Sequence, residues 1–327
     1  MGTQFDLPLE ELERYAPERR EPPDFDAFWA ATLEEARGHP VDLALEPYAA
    51  RLPLLDVADA SFNGFDGQRI KGWFLMPRVR SERLPVVVQY VGYGGGRGLP
   101  HDSLLFPAAG YATLVMDTRG QGSAWSPGDT PDNAPDGGGP QYPGFLTRGI
   151  GDPSTYYYRR VFTDAVRAVE AARSHPAVDP ARTIVAGGSQ GGAMAQAVAG
   201  LVPDLAAALI DVPFLSDIER AIRITDEEPY TELAHYLAIH RDKVDRALRT
   251  ISYVEGMHFA ARASAPALYS VGLTDVITPP STVFAAYNHY AGPKEIRVWP
   301  YSGHDAGTLH HEVEQLAFLE RLGLAPA

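Results

Sequence analysis

Short apolar runs, each closed by a glycine or a polar residue, alternate along most of this chain with longer stretches whose apolar positions recur every three or four residues. Runs of the first kind predict buried strands, and stretches of the second predict amphipathic helices. Val86-Val87-Val88-Gln89-Tyr90, Thr113 to Asp117, Arg182 to Ala186, Ala206 to Asp211, Pro266 to Val271 and Glu295 to Trp299 read as strands. Tyr156 to Ser174, Gly192 to Ala199, Thr282 to Tyr290 and Leu309 to Leu322 read as the helices between and after them. From residue 85 the order is therefore β-α-β-α. That order predicts an α/β fold, a mostly parallel sheet with helices on both faces.

Four regions break the rhythm. Residues 5–40 are acidic and proline-punctuated, with a helix expected over Phe25 to Arg37 and Asp24 as its N-cap. Residues 52–76 read as strands around a turn at Phe62 to Gly67, with Ile70 to Met76 as an apolar strand. Residues 118–153 are rich in Gly, Pro and Asp and show no period, which predicts a long functional loop. Residues 213–262 are helical and charged and read as an insertion over the carboxyl edge of the sheet. The expectation is one domain over residues 1–327, with an N-terminal arm at 1–40 and the insertion at 213–262.

Composition narrows the chemistry. With 28 Lys and Arg against 42 Asp and Glu, the net charge of −14 disfavours nucleic acid and anionic membrane surfaces as partners. Neutral or cationic small molecules fit better. The absence of cysteine excludes thiol catalysis, disulfides and cysteine-ligated zinc. No apolar stretch reaches membrane-spanning length, and Met1 to Asp6 lacks the pattern of a secretory signal. The expectation is a soluble cytoplasmic protein without a metal or other cofactor.

The chemistry concentrates at Gly187-Gly188-Ser189-Gln190-Gly191, between a predicted strand and a predicted helix of small residues. With 31 glycines, a bare Gly-x-Ser-x-Gly arises by chance in roughly one such chain in ten. Its strand-to-helix setting is what makes it a nucleophile elbow, the signature of an α/β-hydrolase fold. A serine nucleophile needs a base, and the base needs an orienting carboxylate, expected here in the order Ser, Asp, His past successive strand ends. Asp275 follows the strand ending at Val271, and His304 follows the strand ending at Trp299. Asp211 also ends a strand and is the rival acid, its other role being to bond backbone there. His304 and His310 could be imagined on a metal, but no third ligand lies at a sensible spacing.

Two backbone N–H groups should hold the developing oxyanion, that of Gln190 and that of Tyr93 in Val91-Gly92-Tyr93-Gly94-Gly95-Gly96. The same glycines do not make a dinucleotide fingerprint, because Arg97 stands where the third glycine would be needed. Arg119 and Gln121, in Arg119-Gly120-Gln121-Gly122, read as structural support that locks the long loop to the elbow. A peptidase or a longer-chain acyl hydrolase on the same fold stays open, as does a non-catalytic binding protein.

The motifs Gly92-Tyr93-Gly94-Gly95, Arg119-Gly120-Gln121-Gly122 and Gly188-Ser189-Gln190-Gly191-Gly192 together resemble those of the acetyl xylan esterase and cephalosporin C deacetylase group, carbohydrate esterase family seven. Gln141-Tyr142-Pro143-Gly144-Phe145, the Tyr156 to Glu170 helix and the run from Thr278 to Asn288 extend the resemblance over nearly the whole chain. It implies deacetylation of small O-acetylated molecules, with Ser189, Asp275 and His304 as triad and Tyr93 and Gln190 as oxyanion hole. It also implies substrate contacts from Tyr93, Pro229, Tyr230 and Ile277, and a ring-like homo-hexamer with the arm and insertion as interface and pocket wall. One departure stands out: His304 is followed by Asp305, where the family usually has Glu.

Overall fold

Alternate residues of a strand face opposite sides of its sheet, and the central strands use both sides for apolar packing. In β4 (Leu84–Tyr90), Val86, Val88 and Tyr90 join one cluster, while Val87 joins another on the opposite face. The first cluster is covered by α2 (Phe25–Arg37), α4 (Tyr157–Ser174), α5 (Gln190–Leu201) and α10 (Pro280–His289). The second is thinner and packs on Phe106 of α3 (Leu105–Ala108) and on Phe318 and Leu319 of α11 (Thr308–Arg321). The computed structural model describes residues 4–134, 141 and 143–326. Met1 to Thr3 and Tyr142 of the Gln141 to Phe145 motif lie outside them.

The sheet has nine strands in the order β1-β2-β3-β5-β4-β6-β7-β8-β9. The first three, β1 (Ala44–Pro47), β2 (Leu55–Asn63) and β3 (Arg69–Pro77), pair antiparallel, as does β3 with β5 (Ala112–Met116). The pairs from β5 through β4, β6 (Val178–Gly188), β7 (Ala207–Asp211), β8 (Ala267–Gly272) and β9 (Lys294–Trp299) are parallel. This is the mostly parallel sheet covered on both faces that the strand–helix alternation predicts.

Several boundaries differ from the sequence expectation, each for a visible reason. β6 starts at Val178 rather than Arg182, because Val178 pairs with Leu84 across a register shift. β1 had no signal, since an edge strand with a largely exposed surface carries no apolar run. Asp24 does not cap α2 with its side chain; its carboxylate accepts the Tyr253 hydroxyl at 2.6 Å instead.

The insertion folds as α6 (Ile218–Ile224), α7 (Tyr230–Ile239), α8 (Val244–Ser252) and α9 (Gly256–Ala260). It does more than overlie the sheet edge, since α9 packs beside α5 and α10 on the first face. The N-terminal arm, with the short α1 (Leu9–Leu12), wraps onto the same region. There the Trp29 indole N–H donates to the Tyr253 carbonyl at 2.9 Å, and Asp6 accepts the Ser281 N–H at 2.7 Å. Among the described residues no helix is long and apolar enough to cross a membrane.

Candidate active site

Ser189 sits between the end of β6 and the start of α5 with φ +57° and ψ −119°, a conformation that costs a non-glycine residue about 1–3 kcal/mol. The neighbours make the turn possible. A Cβ on Gly191 would lie 2.3 Å from the Tyr90 carbonyl oxygen, so no larger residue fits between the turn and β4. The Ser189 N–H donates to the Asp211 carbonyl at 2.9 Å, tying the turn to the end of β7.

His304 and Asp275, the expected base and acid, follow adjacent parallel strands, β9 and β8, whose ends lie side by side. His304 Nδ1 donates to Asp275 Oδ2 at 2.9 Å, which leaves Nε2 as the basic nitrogen. Asp275 is fully buried and accepts three further bonds: from Ile277 N–H and Thr278 N–H on Oδ1, at 2.8 and 3.0 Å, and from the Thr278 hydroxyl on Oδ2, at 2.8 Å. A carboxylate so surrounded is held in one orientation without a neighbouring cation. Ser189 Oγ has no hydrogen-bond partner among the described residues. Such contacts are often long before substrate arrives. Ser189 and His304 line one cleft of about 1030 Å³, at the upper end of the range for small-molecule sites.

Tyr93 and Gln190 stand on either side of the serine. Among the described residues neither backbone N–H has a protein acceptor. Their side chains are held by a buried polar network. Gln121 Oε1 accepts the Gly94 N–H at 2.7 Å, and Gln121 Nε2 donates to Gln190 Oε1 at 2.8 Å and to the Tyr157 hydroxyl at 3.0 Å. The Tyr158 hydroxyl donates to the same Gln190 oxygen at 2.9 Å. The Tyr93 hydroxyl donates to Glu232 Oε1 and accepts the Phe145 N–H, while Glu232 Oε2 accepts the Leu146 N–H. Burial, with the Glu232 carboxylate beside it, pushes the Tyr93 phenol far above its usual value and keeps it a donor. The indole of Trp125 caps the loop, its N–H donating to the Tyr93 carbonyl at 2.8 Å, and a Cβ on Gly95 would lie 2.3 Å from that ring.

Pro229 and Ile277 line the cleft with Tyr93, whereas Tyr230 does not. Tyr230 is fully buried behind that wall, its ring on Phe214 and its hydroxyl accepting the Leu215 N–H at 3.1 Å. It supports the wall rather than touching a ligand, which corrects the expected contact. Arg119 is fully buried and away from the cleft, paired in bidentate fashion with Asp164 of α4 at 2.5 and 2.8 Å. Asp211 does not face His304. Its carboxylate accepts His311 Nε2 and Gln315 Nε2, both at 2.7 Å, so side chains of α11 rather than backbone occupy it. Asp305 is exposed at the rim of the cleft.

Sequence reasoning passed over Thr278, Tyr157, Tyr158 and Glu232 as site residues. The Asp-x-x-Thr spacing could have revealed Thr278, because the hydroxyl of a residue three positions on can return to the carboxylate. Nothing local marks Glu232, which reaches Tyr93 from 139 residues away.

A family model, acetyl xylan esterase (AXE1), matches residues 2–322. The acetyl xylan esterase from Paenibacillus sp. R4 is 38% identical, with a TM-score of 0.91 over 96% of this chain and 99% of that one. Acetyl xylan esterase 1 from Thermoanaerobacterium sp. JW/SL YS485 is 30% identical, with a TM-score of 0.89 over 98% and 99%. Acetyl esterase Axe7A of Xylanibacter ruminicola is 28% identical over 89% of this chain, which spans 65% of that relative's length. The chain belongs to the acetyl xylan esterase family, a family of carboxylic ester hydrolases, and has its α/β-hydrolase fold.

Proposed function

We propose that this protein is a serine esterase that removes acetyl groups from small O-acetylated molecules, such as acetylated xylo-oligosaccharides and the acetyl ester of cephalosporin C. The observation that carries the reading is His304, bonded to Asp275, lining the same cleft as Ser189. Ser189 Oγ attacks the acetyl carbonyl carbon while His304 Nε2 takes its proton. The carbonyl oxygen becomes an oxyanion and receives the N–H bonds of Tyr93 and Gln190, each worth about 10²–10³ in turnover. The bond to the alcohol breaks, and the alcohol leaves with the proton from His304. Water then gives a proton to His304 and its oxygen to the acetyl carbon, and acetate departs as Ser189 recovers its proton. Asp275 stays ionised throughout, holding the imidazole tautomer and stabilising the imidazolium.

An acetyl group needs far less room than the cleft offers, so the remaining volume suits the alcohol portion. Tyr93, Pro229 and Ile277 are the side chains we assign to substrate contact. The same reading includes a homo-oligomer, hexameric by the family resemblance, acting on dissolved small molecules in the cytoplasm.

The test is a series of p-nitrophenyl esters from acetate to octanoate, on wild type and Ser189→Ala. A sharp preference for acetate, with turnover falling at least ~10⁴-fold in the variant, is expected. Preference for long acyl chains would replace the deacetylase reading with a longer-chain esterase. Full activity in Ser189→Ala would refute the serine mechanism.

A further inference from the structure

Asp211 is bonded both to the Ser189 turn and to the helix that follows the His304 loop. Its backbone carbonyl accepts the N–H of Ser189 itself, at 2.9 Å. The packing there is close, since a Cβ on Gly192, in the first turn of α5, would lie 2.6 Å from that carbonyl oxygen. Its carboxylate is taken up by His311 and Gln315, one turn apart on the same face of α11. α11 begins at Thr308, four residues after His304, so the loop carrying the base runs straight into the helix that Asp211 holds. Ala306, Gly307 and Thr308 of that loop all have positive φ, between +45° and +90°, so its path depends on where it is anchored. His311 is nearly buried, and its Nδ1 has no partner among the described residues. Among the described residues its side chain makes one hydrogen bond, the one to Asp211.

We propose that Asp211, His311 and Gln315 form a clamp that sets the position of the His304 loop relative to the Ser189 elbow. His311 and Gln315 are therefore positioning residues for the reaction, acting through His304. Displacement of a reacting group by about 1 Å costs up to ~10²-fold in rate. A side chain that merely fastened α11 would lower thermal stability and leave turnover alone. The inference rests on the esterase reading.

The experiment measures kcat and KM for p-nitrophenyl acetate, with melting temperature alongside, on wild type, His311→Leu and His311→Gln. Gln places an amide N–H close to where the imidazole Nε2 stands, so it can restore the bond to Asp211. His311→Leu should lose about 10- to 100-fold in kcat with KM within about twofold, and His311→Gln should recover most of it. Unchanged kcat in a folded His311→Leu overturns the clamp. A raised KM at constant kcat also overturns it, in favour of a substrate contact, as does a folded His311→Gln with no recovery. Should His311→Leu fail to fold, Gln315→Leu takes its place: a kcat loss at constant KM supports the clamp and wild-type kcat overturns it. Inactive wild type would overturn the esterase reading and the clamp with it, whereas active wild type with unaffected variants overturns the clamp alone.

Discussion

On the side of the cleft proposed for acid–base chemistry, Asp275 is bonded by Ile277 and Thr278, two and three residues on, and by His304 across 29 residues from the neighbouring strand. On the side proposed to hold the oxyanion, Gln121 reaches Gln190 across 69 residues and Tyr93 reaches Glu232 across 139. The first arrangement needs only β8, β9 and the loops that follow them. The second needs the glycine loop, the 118–153 loop, α4, α5 and the insertion all in place. Concentration and dispersal have different consequences. Four bonds converging on one carboxylate make a single point of failure, whereas a distributed network loses part of its hold when one member goes.

Asp275→Asn is the sharpest way to expose that single point. Asn Oδ1 can still accept the Ile277 and Thr278 N–H groups, so the loop should stay folded. The imidazole then loses the carboxylate that fixes its tautomer and balances its charge, and kcat should fall about 10⁴-fold with little change in KM. Gln121→Ala is the matching cut on the other side. It removes the anchor of the Gly94 N–H and one of two donors to Gln190 Oε1, while the Tyr158 hydroxyl remains. Turnover should fall about 10- to 100-fold, less than the loss of an entire oxyanion donor. Steady-state kinetics on p-nitrophenyl acetate measures both. Equal losses would break the contrast between a concentrated and a dispersed site.

The same contrast explains what could be read from the chain. Gly187 to Gly191 announces itself because a strained serine needs small residues at fixed offsets. Asp275 and His304 follow from their place after apolar strand runs. Arg119 stands in a compact motif, and its burial against Asp164 is the kind of pairing a loop-end arginine suggests. Glu232 and Tyr158 lie on helices whose patterns are explained by packing alone, so no local signal separates their polar duties from core filling. Tyr230, whose contact the resemblance implied, is likewise buried: of these two neighbours at a helix start, Pro229 lines the cleft and Tyr230 packs behind it. Asp211 was visible as a strand end, but its partners on α11 lie about a hundred residues further on and only the fold brings them together.

The smallest expected effect probes the anchor of the dispersed side. Burial raises the Glu232 carboxyl above its ordinary value, outweighing the bonds it accepts from Tyr93 and Leu146. At pH below the ordinary carboxylate range, the group is protonated in both the folded and unfolded chain. As pH climbs from there through the raised folded value, the unfolded chain releases its proton first, so the contribution to stability is lost on going up in pH. Glu232→Gln is neutral at every pH and lacks this loss, although it gives up one acceptor to Tyr93 or Leu146. Its melting temperature should therefore lie below that of wild type at low pH, with the gap narrowing as pH rises through the window. Turnover should change less than in Gln121→Ala, because Glu232 holds the Tyr93 ring rather than the peptide that carries the donating N–H. A gap that stays constant with pH would mean that the lost bonds, not the buried charge, set the cost of this residue. Glu232 would then be an ordinary fastening of the oxyanion loop with no acid sensitivity of its own.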